Sequence, residues 1–105
     1  MAQFRVYENS NRATKQRIPY LLDIQSDLLD DLQTTVVIPL ALKSTIGKAA
    51  MTKLCPLIEI EEREFVVLTS QIAGVDRKVL GKEIGDFSHY RAEVIAAVDF
   101  LISGI

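Results

Sequence analysis

The apolar residues of this chain change their spacing once, near Phe87, and that change limits what it can fold into. Before Phe87 the apolar segments are short, rich in β-branched residues and separated by turn-forming clusters. From Phe87 onward they recur every three to four residues: Tyr90, Val94, Ala97, Val98, Leu101 and Ile105. The first pattern is that of strands and the second that of one face of a helix. The spacing predicts strands near 3–7, 19–24, 34–40, 55–60 and 64–69, with one or two more between Val75 and Ile84. A helix is predicted from about Ser88 to Ile102, with Asp86 or Ser88 as its N-cap. Pro39 is expected at a bulge or at a strand end, because proline cannot donate to a ladder. Cys55–Ile60 and Glu64–Thr69 read as a hairpin closed by Glu61, Glu62 and Arg63.

This order gives a mainly β, α+β class: a twisted antiparallel sheet or small barrel against which one C-terminal helix packs. At 105 residues the chain is expected to be one domain over 1–105. Its 49% apolar and 25% charged residues are those of a globular domain. Twelve basic against fourteen acidic residues leave a net charge of −2, which argues against a free-standing nucleic-acid binder with a large positive field. One cysteine, Cys55, excludes an internal disulfide and fits a reducing, cytoplasmic compartment. One histidine, His89, excludes the common zinc frameworks. No apolar run reaches the roughly eighteen residues of a membrane span, and the charged N-terminus does not read as a signal peptide. Neither a cofactor nor a metal is expected.

Four groups of residues invite a chemical reading. Asp86, Ser88 and His89 hold the side chains of a hydrolase triad, but adjacent residues cannot converge on one point from three directions, so a helix cap is the better reading. Glu59, Glu61, Glu62 and Glu64 lie about a hairpin tip, where solvent keeps carboxylates ordinary. Cys55 precedes Pro56 in an apolar strand and reads as a buried, inert thiol. Asp76, Arg77 and Lys78 follow Gly74 and read as a solvated turn or as an RNA-contacting or catalytic loop.

Two apolar features fit less easily into a monomer core. Leu28 and Leu29 stand in an acidic turn with Asp27, Asp30 and Asp31, which points them toward solvent. The last residues, Phe100 to Ile105, spread their apolar side chains around the helix axis at about 100° per residue. Either the last turn is buried in a homodimer, or it presents an apolar knob to a partner. Periodicity favours burial.

Beyond composition, the chain resembles the CcdB toxins, the toxin half of bacterial toxin–antitoxin modules. The resemblance rests on Gln3-Phe4 with Val6-Tyr7, on Asp23-Ile24-Gln25-Ser26-Asp27 before Leu28-Leu29-Asp30, and on Val37-Ile38-Pro39-Leu40. Cys55-Pro56 with Ile58, Leu68-Thr69, Asp86-Phe87-Ser88 with Arg91, and Ser103-Gly104-Ile105 complete it. It implies a five-stranded antiparallel sheet with a small secondary sheet, the SH3-like barrel of the CcdB, MazF and Kid toxins, and one C-terminal helix. It also implies a symmetric homodimer that poisons DNA gyrase by binding its A subunit and trapping the cleavage complex, without enzymatic activity of its own. The implied partners are gyrase, a CcdA-type antitoxin, and operator DNA reached only through the antitoxin complex, where the pair represses transcription.

Carried over by position, the gyrase-binding residues are Leu28, Leu29, Asp99, Ile102, Ser103, Gly104 and Ile105. There is no catalytic residue in this reading. The family's pattern often has tryptophan before the final Gly-Ile, and Ser103 stands there instead. Losing a tryptophan–arginine contact costs about 1–2 kcal/mol, or about ten-fold in affinity. Where many relatives have Val-Pro-Val, this chain has Val75-Asp76-Arg77, and Gln71 to Gly81 resembles the matching stretch of the MazF and Kid ribonucleases. Ala73 and Gly74 lie where those enzymes have an arginine. The alternatives are therefore an mRNA endonuclease of the same fold, dependent on Asp76 and Arg77, or a non-toxic chromosomal homologue that only binds antitoxin.

Overall fold

The computed structural model describes residues 3–46 and 53–104. Seven strands are described: β1 (Arg5–Asn9), β2 (Tyr20–Asp23), β3 (Thr34–Leu42), β4 (Leu57–Ile60), β5 (Arg63–Val67), β6 (Ala73–Asp76) and β7 (Leu80–Asp86). A single helical turn, α1 (Lys43–Ile46), follows β3, and α2 (Arg91–Ser103) ends the described chain. The strands form one antiparallel sheet in the order β4-β5-β3-β2-β1-β7, with β6 also paired to β3. The class expected from the sequence is found, with the seven described strands in a single sheet and β6 branching from β3.

The sheet is covered on both faces at β2 and the middle of β3, which is why those segments read as apolar runs rather than strict alternations. Phe4, Val6, Leu22, Ile38, Leu40, Ile58, Ile60, Phe65 and Val67 form the main core with Val94 of α2. Ile18, Leu21 and Val37 form a second cluster, with Val75, Val79 and Leu80 packed on it. Adjacent residues such as Leu21 and Leu22 therefore both lie inside, on opposite faces.

β3 is the longest strand because it serves two partners on one edge. Its first half pairs with β6, Thr34 opposite Asp76 through Val37 opposite Ala73. Its second half pairs with β5, Leu40 opposite Val67 through Leu42 opposite Phe65. β2 pairs along the other edge. Pro39 lies inside β3, neither at a bulge nor at its end. Its carbonyl accepts the Leu68 N–H at 3.0 Å. In an extended strand the N and O of one residue face the same edge, so the missing donor falls where the ladder passes from β6 to β5.

β1 runs later than expected. Phe4 has φ 66 and stands outside the strand. Its N–H donates to the Asp23 carbonyl at 2.7 Å, and its carbonyl accepts from Phe87 N–H at 2.8 Å. The polar end of β1 is kept inside by its own side chain: Asn9, 4% exposed, donates through Nδ2 to Thr14 Oγ1 and the Ile18 carbonyl, both at 2.9 Å.

The β4–β5 hairpin closes on two residues, not three. Ile60 pairs with Arg63, leaving Glu61 (φ 53) and Glu62 (φ 67) as the turn. Two successive positive φ values are those of a type I′ turn, which normally takes Asn-Gly. Replacing Glu61-Glu62 by Asn-Gly is expected to raise stability by about 1 kcal/mol, measured by chemical denaturation.

Asp23 is the buried carboxylate of the fold, 2% exposed at the end of β2. Its Oδ1 accepts from Thr35 Oγ1 at 2.8 Å and from Gln25 N–H at 3.2 Å. Burial raises its pKa above the usual carboxylate value, with the Thr35 and Gln25 bonds pulling the other way. A folded-state pKa above the unfolded one means this group favours folding at low pH, and the advantage is lost as pH rises through the folded value. Asp23→Asn keeps an acceptor and removes the charge. The stability of the wild type relative to Asp23→Asn is expected to improve as pH falls from 7 to 4, followed by urea denaturation at each pH.

Candidate functional site

The connection between β2 and β3 builds the first apolar patch. A 3-10 turn spans Asp27–Leu29, and Ser26 caps it by accepting the Leu28 N–H at 3.2 Å. Asp27 Oδ1 accepts the Gln3 N–H at 2.6 Å. These bonds place Leu28 and Leu29 outward, 94% and 47% exposed, with Leu32 at 49%. The sequence reading of a solvent-facing leucine pair holds, and Leu32 extends it.

The second patch is the end of α2. Val94 and Ala97 are buried and Val98 is half-buried, as the spacing requires. Beyond them the helix runs out of core: Leu101 is 38% exposed and Ile102 is 79% exposed. Within the single chain the last turn is therefore uncovered, which leaves it free for burial in a homodimer or for a partner. Asp99, Ser103 and Gly104 are exposed as well. Ser103 Oγ donates to the Asp99 carbonyl at 2.7 Å. Gly104 takes the left-handed conformation, φ 74, and its N–H returns to the Phe100 carbonyl at 2.8 Å. Ile105 lies outside the described residues.

The turn and the helix end lie apart along α2. Gln3 links the turn to the first residue of the helix: Gln3 Nε2 donates to the Ile24 carbonyl at 3.0 Å, and Arg91 Nη1 donates to Gln3 Oε1 at 3.3 Å. Ile102 stands eleven residues further on, about 16 Å along the axis at 1.5 Å per residue.

The other candidates have structural occupations. Asp86 Oδ1 accepts the Ser88 N–H at 2.8 Å, which lowers the Asp86 pKa and organises the 3-10 turn Ser88–Tyr90. α2 itself starts at Arg91 with no side-chain cap from Tyr90. The His89 ring stacks on Phe87 (centroids 5.9 Å apart) and lies against Tyr90 at 4.4 Å, so Asp86, Ser88 and His89 form no triad. The four glutamates of the hairpin are exposed, and Glu64 pairs with Lys43 at 3.3 Å. Cys55 is half-buried rather than buried. No group of three or more metal-binding side chains occurs among the described residues. No helix of the described residues is long and apolar enough to cross a membrane.

The Asp76-Arg77-Lys78 turn is more ordered than a solvated loop. Asp76 Oδ1 accepts the Lys78 N–H at 2.9 Å and caps the 3-10 turn Arg77–Val79. The Arg77 side chain donates to the carbonyls of Leu32 and Leu29, at 2.6 and 3.2 Å. A separate cleft of about 200 Å³ is lined by Glu8, Asn9, Lys15, Pro19 and Tyr20. Burial, and then Glu61 and Glu8, raise the Tyr20 pKa. No sequence motif marked the Arg77 bonds, because they join residues 45 and 48 positions apart in the chain.

Comparison with known proteins identifies the fold and the family. Two solved structures share the fold. One is an endoribonuclease in complex with its cognate antitoxin, from a mycobacterial species: TM-score 0.76, 10% identity, 97% of this chain and 94% of that one. The other is an endoribonuclease from a mycobacterial species: TM-score 0.69, 12% identity, 97% of this chain and 90% of that one. They correct the expectation that this chain is no enzyme: the architecture it shares with them nearly end to end is one that cleaves RNA in both, so the fold gives no ground for excluding catalysis. The profile of the CcdB protein family matches residues 3–104. With that match covering almost every residue, the chain belongs to the CcdB family and is the toxin of a toxin–antitoxin pair.

Proposed function

We propose that this toxin acts on DNA gyrase, docking on its A subunit as a homodimer and trapping the enzyme on cleaved DNA. One observation carries the reading. Among the described residues the most exposed large apolar side chains, Leu28 and Ile102, occupy positions that the family resemblance assigns to the gyrase contact. Uncovered leucine and isoleucine cost free energy in a lone chain and return it only when a partner removes them from water, at about 25 cal/mol per Å². A two-fold homodimer presents each patch twice, which suits a two-fold symmetric target.

A CcdA-type antitoxin is the proposed neutralising partner, and the pair together is proposed to bind operator DNA. The solved endoribonuclease with its cognate antitoxin supports a partner of this kind on this fold.

The comparisons favour a second reading, RNA cleavage, since both solved structures are endoribonucleases. Asp76 and Arg77 are the residues it would use. The side chains lend it less: Asp76 caps a turn, and Arg77 binds carbonyls of its own chain.

Two parallel reactions separate the readings. In one, purified protein is mixed with gyrase, supercoiled plasmid and ATP, then treated with detergent and protease. Linear plasmid is expected from the wild type. Leu28→Asp and Ile102→Asp, both at exposed positions, are expected to raise the concentration needed by roughly thirty-fold or more with unchanged unfolding midpoints. In the other, the protein is incubated with mRNA alone. RNA fragments without linear plasmid would overturn the gyrase reading in favour of the second.

A further inference from the structure

The turn that carries the exposed leucines has little apolar anchoring of its own. Leu28 is 94% exposed, so it holds nothing down. The bonds within the segment span three residues: Leu29 N–H to Ser26 at 3.0 Å, Asp30 N–H to Asp27 at 3.3 Å, and Leu32 N–H to Leu29 at 3.2 Å. Such bonds are poorly aligned, and a ten-residue connection (24–33) built on them alone would sample many conformations.

The Gln3 N–H holds the N-terminal half of the connection through Asp27, and a residue nearly fifty positions away constrains its C-terminal half. The turn after β6 brings Arg77 beside this connection because β6 pairs with the start of β3. The Arg77 N–H donates to the Gln33 carbonyl at 2.9 Å. Its Nε donates to the Leu32 carbonyl at 2.6 Å, and Nη2 to the Leu29 carbonyl at 3.2 Å. The guanidinium thus spans the C-terminal half of the connection with donors fixed in one plane, which a single ammonium cannot do. Gln25 Nε2 adds bonds to the carbonyls of Leu29 and Thr34, at 3.4 and 3.2 Å.

We infer that Arg77 is a positioning residue: its guanidinium clamps the carbonyls of Leu29 and Leu32 and holds the exposed Leu28–Leu29 turn in the shape that docks on a protein target. The inference rests on the docking reading and names the residue that sets the turn before contact. Ordering the turn in advance lowers the entropy lost on binding. It also changes how Arg77 variants are read. Loss of toxicity in Arg77→Ala is not evidence for RNA catalysis, because the same change releases the docking turn.

The test measures the turn and the function separately. Amide hydrogen exchange is recorded for wild type, Arg77→Ala and Arg77→Lys. Exchange at Leu29, Leu32 and Arg77 is expected to rise about ten-fold or more in Arg77→Ala, and less in Arg77→Lys, while core amides such as Val66 keep their rates. The gyrase assay on the same proteins is expected to need about ten-fold more Arg77→Ala for equal linear plasmid, a factor worth about 1.4 kcal/mol, with partial recovery in Arg77→Lys. Unchanged exchange at Leu29 and Leu32 overturns the clamp. Raised exchange with unchanged trapping overturns its role in docking. Wild type that traps no gyrase overturns the target reading and the docking half with it, while exchange still decides the clamp. RNA cleavage by wild type that both variants lose, with exchange unchanged, makes Arg77 a catalytic residue and overturns the inference.

Discussion

The pairing of β3 with two partners along one edge is the constraint on which the rest depends. One strand of nine residues holds β2 on one side and divides the other between β6 and β5. The division is sharp because Pro39 has no N–H to offer at the point of change, and its carbonyl goes to Leu68 instead. Splitting the edge lets β5 continue to the β4 hairpin over the main core while β6 turns toward the start of β3. It also sets two far-apart stretches side by side: the β2–β3 connection with its leucines, and the Asp76–Lys78 turn with Arg77. The apolar turn and its clamp are consequences of one ladder.

A second consequence concerns the helix. The sheet offers α2 a core only as far as Val94 and Ala97 bury, with Val98 half-covered. The helix continues for more than a turn past that support, to Ser103 and a left-handed Gly104. Helix propensity and the C-terminal cap keep this end regular without burying it. The chain thereby holds Leu101 and Ile102 in fixed geometry at the surface. The Leu28–Leu29 turn reaches the same state by another route, through polar bonds in place of backbone regularity. Ordered, exposed and apolar is the condition of a surface shaped for a partner.

Much of this was legible in the sequence where local rules act. The strand and helix periods gave the elements, and Asp27, Asp30 and Asp31 around Leu28-Leu29 gave the exposed pair. Local rules failed where distant groups decide. Asn9 reads as loop but ends a strand, since Thr14 and Ile18 satisfy its amide. Glu61 and Glu62 read as part of a three-residue turn and are not residues that favour positive φ, yet the register of Ile60 with Arg63 forces both to it. Pro39 reads as an end because a missing partner on one edge of one residue cannot be seen in one dimension. Asp76-Arg77-Lys78 reads as a charged surface turn because the carbonyls that occupy Arg77 lie 45 and 48 residues away.

The same distinction bears on what a shared fold can say about function. This chain and two endoribonucleases have one architecture at 10% and 12% identity, so backbone shape alone does not select between cleaving RNA and gripping a protein. Side chains make that choice. Where the resemblance to the ribonuclease stretch is greatest, Ala73 and Gly74 carry no functional group and lie exposed on β6. The arginine nearby faces inward to its own backbone. The apolar side chains that an RNA surface would not need are the ones most open to water. An RNA-binding face would gain from exposed cations, since phosphate contacts dominate such affinity, and Arg12, Lys15 and Arg17 lie exposed between β1 and β2. Under the docking proposal, the free energy of uncovered Leu28 and Ile102 is recovered by covering them with another protein, whereas the shared backbone by itself favours neither docking nor catalysis.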